Sequence, residues 1–131
     1  MDNENKNSKL LMEEAARFEQ AGELEKSLNA YSRALDVLVD EARAAAEKSE
    51  PAVADAIVGK GVISEQYLAK FNNYLKKDYR AAAVSNAMGM IFAKMGNKPS
   101  ARDFFEQAID LTPPGEVYDD PHIGMEMLKN L

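Results

Sequence analysis

The chain has no cysteine, no tryptophan and a single histidine among its 131 residues. Without cysteine there is no disulfide framework and no thiolate chemistry, which fits a reducing compartment. No apolar run approaches the roughly 18 residues that a membrane span needs. The opening MDNENKNSK is polar and holds no hydrophobic stretch of the signal-peptide kind. The expectation is a soluble, cytoplasmic protein with no membrane span. Apolar residues make up 46% of the sequence and charged residues 29%. That balance excludes a disordered polyampholyte and supports one domain with a real core.

Catalytic chemistry is equally scarce. His122 follows Asp119, Asp120 and Pro121, which read as the acidic start of a helix with proline in its first turn, in preference to a metal site. Gly59-Lys60-Gly61 lacks the spacing and the Ser/Thr of a phosphate loop. These glycines read instead as a close helix crossing or a kink. Glu13-Glu14 and Asp119-Asp120 are neighbours on solvated stretches. The expectation is a protein that is not an enzyme, with no catalytic residue, no metal ligand and no cofactor.

What the sequence does contain is helical periodicity. Apolar residues recur at steps of three and four: Leu11, Ala15 and Phe18, then Leu24, Leu28, Tyr31, Leu35 and Leu38. Tyr67, Phe71 and Tyr74 continue the pattern, as do Met88, Ile91 and Phe92, then Phe105, Ala108 and Ile109. No segment keeps the alternation of a strand, so the chain reads as all-α. Breakers at Ala21-Gly22, Ser49-Glu50-Pro51, Lys77-Asp78, Gly96-Asn97 and Pro113-Pro114-Gly115 place helices at about 8–21, 24–48, 51–76, 79–95, 98–111 and 121–130. Ser49, Asp78, Asn97 and Asp120 are the expected N-caps. Residues 1–7 are expected to be disordered. Short linkers make neighbouring helices antiparallel.

The first and later helix pairs repeat each other. A shift of 74 residues places Ala15 on Gly89, Phe18 on Phe92, Gly22 on Gly96, Ser27 on Ala101, Tyr31 on Phe105, Ala34 on Ala108 and Leu35 on Ile109. Small residues at matched positions let two helix backbones approach closely. The aromatics fill the space between one pair and the next, and the glycines end a helix so that the chain can reverse.

This spacing resembles the tetratricopeptide repeat (TPR), a helix–turn–helix unit of about 34 residues. Residues 82–115 carry Gly89, Phe92, Gly96, Ala101, Phe105, Ala108 and Pro113 on its pattern. Residues 8–41 match less fully, with Ser27 in place of alanine and Val39 in place of the closing proline. The resemblance implies a right-handed stack of antiparallel helix hairpins, about five helices plus a C-terminal capping helix. The first repeat would span 8–41, an irregular middle region 42–81, the second repeat 82–115, and a linker with the cap 116–131. Residues 8–77 also resemble the three-helix microtubule-interacting and trafficking (MIT) domain, whose first hairpin is itself TPR-like.

TPR-like arrays bind peptides on a concave face. On matching positions that face would carry Lys9, Met12, Ala16, Glu19 and Gln20, with Ala83, Asn86, Met90, Ala93 and Lys94. The carboxylate clamp of the family needs Lys and Asn where Met12, Ala16 and Met90 stand here, so an amphipathic helix suits this face better than a C-terminal carboxylate. The bland alternative is that Met12 and Met90 pack against the middle helix. Charge is segregated: 1–50 hold 12 acidic and 7 basic residues, 51–98 hold 3 and 7, and 99–131 hold 7 and 2. The acidic outer segments favour a partner with basic flanks. Lys70, Lys76, Lys77 and Arg80 flank Tyr67, Phe71 and Tyr74, a mixture that can stack on single strands. The sequence pI of about 4.8 opposes nucleic-acid binding. The expected function is a non-catalytic protein–protein interaction module, a scaffold or adaptor binding a helical or extended segment. A MIT-like trafficking or ATPase-recruitment domain and a small self-assembling subunit (a homo-oligomer) are the alternatives. The last helix is expected to cap the array, with occupation of the groove as the competing role.

Overall fold

Ser8–Gln20 forms the first helix, α1, because Asn7 precedes it and its Oδ1 accepts from the Lys9 N–H at 2.8 Å. The computed structural model describes residues 7–58 and 65–131, without the side chains of Ile57 and Val58. The disorder expected over 1–7 lies outside the described residues apart from Asn7, the cap of α1. The other helices are α2 (Leu24–Ser49), α3 (Pro51–Val58), α4 (Glu65–Leu75), α5 (Arg80–Lys94), α6 (Lys98–Asp110) and α7 (Asp120–Lys129). Among the described residues there is no strand, and no helix is long and apolar enough to cross a membrane.

Helices α1 and α2 form one hairpin, α5 and α6 another. Both reverse in the same way. Gly22 and Gly96 take positive φ values of 79° and 82°. The next residues, Glu23 and Asn97, donate back to the carbonyls of Phe18 and Phe92, each at 2.9 Å. This is the left-handed closure that glycine adopts without a Cβ penalty. Asn97 then caps α6 by accepting from Ser100 N–H at 3.1 Å.

Small residues bring the helices of each hairpin together. Ala15, Ser27 and Ala34 are fully buried in the first, Ala101 and Ala108 in the second. Ser27 Oγ donates to the Ala15 carbonyl across the first hairpin at 2.7 Å. The equivalent crossing in the second has Gly89 against Phe105 and the Ala101 carbonyl. Between the hairpins lies the main core, with Tyr31 and Leu38 from α2 meeting Val84, Met88 and Ile91 from α5.

The middle region departs from the expected single helix over 51–76. Helices α3 and α4 are two separate helices that pack on each other and on α2. A straight rod could not bury both Val53 and Phe71 against Ala42 and Ala46 of α2, as happens here. Gly59, Lys60 and Gly61 lie outside the described residues. Three expected caps also move. Glu50, not Ser49, offers the carbonyl that starts α3. Asp78 sits one residue further out, accepting from Arg80 N–H at 3.0 Å while Tyr79 holds the cap position. Asp120 is already helical, and Asp119 precedes α7 without a side-chain cap bond.

Helix α7 covers the open side of the second hairpin. Its buried residues, Pro121, Gly124 and Leu128, follow one helical face and meet α6 and α5. The Lys98 ammonium donates to the Leu131 carbonyl beyond its end. The helix packs on α6 and α5.

Candidate peptide-binding groove

Two helices that touch only lightly, α1 and α5, frame a groove whose base is a residue of α2. Lys9, Met12, Glu13 and Ala16 recur at helical spacing along the α1 wall. Arg80, Ala83 and Ala87 do the same along α5, and Tyr31 lies at the bottom. The cavity measures about 600 Å³. Its depth comes from Ala16, Ala83 and Ala87, whose short side chains leave space that two packed helices normally fill.

Charge is gathered at the ends. The Arg80 guanidinium bonds Glu41 at 2.9 Å and Asp78 at 3.1 Å, and reaches Ser8 Oγ at 3.4 Å. Its charge is therefore spent inside the protein, and the residue ties the start of α5 to α1 and α2. At the far end Lys94 pairs with Glu19 at 2.6 Å, bridging α5 to α1. Burial, helped by the Glu19 carboxylate, raises the Tyr31 phenol above its ordinary value, so the base of the groove is neutral. An apolar floor thus lies between two ion-paired ends, with Lys9 and Glu13 on the α1 wall.

The residues expected on one concave face do not stay together. Lys9, Met12, Ala16 and Ala83 line the groove together. Glu19 and Lys94 close its end with their ion pair. Met90 and Ala93 are half-buried and pack instead against Ala101, Phe105 and Leu128, toward α7. Asn86 is half-buried, its Oδ1 enclosed with no hydrogen-bond partner among the described residues. Gln20 is exposed at the end of α1. Sequence reasoning missed Tyr31, Ala87 and Arg80. For Tyr31 the available signal is its match to Phe105, which meets Gly124 of α7.

The basic and aromatic residues near α4 do not form a stacking platform. Phe71 is buried, and Tyr67 and Tyr74 pack around it against α2 and α3. The Tyr74 hydroxyl donates to Glu50 at 2.7 Å. Around His122, and elsewhere among the described residues, no three His, Cys, Asp or Glu side chains gather closely enough to hold a metal ion. No family model matches this chain, nor does any curated protein or solved structure.

Proposed function

We propose that this protein is a non-catalytic interaction module of TPR-like design, which seats an amphipathic helical or extended segment of a partner protein between α1 and α5. The observation that carries this reading is the apolar groove of about 600 Å³ between two ion-paired ends. Two hairpins with the same glycine-closed turn, and a last helix in the place of a further repeat's first helix, support the TPR-like part. Each leucine-sized side chain buried in such a groove contributes roughly 1.5–3 kcal/mol. Two or three of them supply about 3–9 kcal/mol, much of which the cost of association offsets, so the contact is a weak, transient one.

The test is a displayed library of amphipathic peptides selected against the wild type. Selected peptides are then titrated against Met12→Asp and Ala16→Asp, with circular dichroism confirming that both variants remain folded. A loss of roughly tenfold or more in affinity is expected. Unchanged affinity in both folded variants would remove the groove as the binding site.

A further inference from the structure

A second cleft shares no lining residue with the first. Its floor is Leu35 and Val39 of α2, and one wall is the apolar face of α4, formed by Leu68, Phe71 and Leu75. The opposite wall belongs to α6 and is acidic: Asp103, Glu106 and Asp110. The cleft measures about 590 Å³, much the same as the first, and admits the side chains along one face of a helix.

The two walls differ because each helix has spent its other face elsewhere. Helix α6 buries Ala101, Phe105 and Ala108 against α5 and α7, which turns Asp103, Glu106 and Asp110 outward on the opposite face. No Lys or Arg forms an ion pair with these three carboxylates among the described residues. Gln107, between them, is held by its amide donating to Ser85 Oγ at 2.9 Å, which fixes the wall against α5. On α4, Leu68 remains 45% exposed at the lip, although a leucine of this kind gains most by being covered. Lys70 falls on the other side of α4, so its charge does not answer the acidic wall.

We propose that this α2/α4/α6 cleft is a second docking surface, whose occupant is a basic amphipathic helix of a partner protein. Charge complementarity selects the occupant. The ligand's leucine-type stripe enters between Leu68 and Leu35, while lysines or arginines on its flank meet carboxylates spaced three and four residues apart over about 10 Å of α6. A neutral or acidic helix would leave that wall unanswered, and an acidic surface repels nucleic acid. The protein would then hold two segments at once, one selected by shape at α1/α5 and one by charge at α2/α4/α6.

The experiment uses the full chain and a synthetic helical peptide with leucines at i, i+3, i+4 and i+7 flanked by lysines, beside the same peptide carrying glutamates for lysines. Anisotropy titration gives affinity and its salt dependence, and methyl NMR shifts of Leu35, Val39 and Leu68 give location. Expected results are saturable binding of the lysine peptide only, with shifts at those methyls. Affinity should fall roughly tenfold in the triple variant Asp103→Asn, Glu106→Gln, Asp110→Asn, with a flatter salt dependence. Leu68→Asp should also weaken it, and Met12→Asp should not. The proposal is overturned by no saturable binding, by equal binding of the glutamate peptide, or by methyl shifts elsewhere. Loss of binding in Met12→Asp alone would assign the peptide to the α1/α5 groove. A mass that doubles with concentration and returns to monomer in Leu68→Asp would name a second copy as the occupant and overturn it too.

Discussion

The ring of Phe105 fills the space where a side chain on Gly124 would begin: a Cβ built there stands 2.5 Å from Cζ. The same ring lies 2.7 Å from the corresponding position on Gly89. Phe105 is thus gripped between α5 and α7, and each of those helices carries a glycine where it meets the ring. Glycine inside a helix costs up to about 1 kcal/mol relative to alanine. Here it is the condition for close packing.

Gly124→Ala should therefore destabilise the protein by about 1–3 kcal/mol despite the better helix former. Urea denaturation measures this. Gly22→Ala is the comparison, since nothing lies within 4 Å of its Cβ position and only its φ of +79° is strained. That strain costs about 1 kcal/mol. A Gly124→Ala variant as stable as wild type would contradict the interlock.

Met90→Asp should lower the melting midpoint, because the side chain packs beneath α7 against Phe105 and Leu128. A charge placed there costs on the order of 1–3 kcal/mol. Met12→Asp, at the rim of the groove, should cost much less. Equal effects of the two would put both methionines in one environment.

Ala108→Leu tests the second crossing. Ala108 is fully buried, and overpacking costs about 1–3 kcal/mol. Ser27→Ala tests the first, where loss of the 2.7 Å bond to the Ala15 carbonyl should cost about 0.5–1.5 kcal/mol. Thermal unfolding of both variants decides.

Acid should loosen the start of α5. Burial alone would push the Asp78 carboxyl up, but the bonds from the Arg80 side chain and backbone outweigh it, and the group is held below its ordinary range. A depressed carboxylate stabilises the fold above its unfolded value of about 3.9, and that contribution is lost as pH falls through the folded value. The expected effect is small, because Asp78 is 44% exposed. Asp78→Asn should show less loss of stability between neutral pH and pH of about 3 than wild type does; an identical slope would discard the contribution.

Helical class, the two matched hairpins and their glycine turns were legible because they depend on local rules. Spacing of three and four marks a buried face, and a residue of positive φ ends a helix whatever surrounds it. Asn97 was legible as a cap because its bond to Ser100 spans three residues. The middle region was not. Tyr67, Phe71 and Tyr74 have the same spacing in one long helix as in α4 packed back on α3, and only contacts distant in sequence choose between them.

The binding face shows the same division. Matching to a repeat puts Met12 and Met90 on one expected face, but they pack on different clusters. What each meets depends on the neighbour: Met90 packs toward α7 against Phe105 and Leu128, whereas Met12 rests on the main core and lines the groove between α1 and α5. Asp103, Glu106 and Asp110 share a face of α6 by their spacing, but they form the wall of a cleft only because α4 stands across from them. Local chemistry set which residues turn inward on each helix, through periodicity and capping. Long-range packing set which outward faces oppose one another, because that depends on helix order in space, which periodicity does not encode.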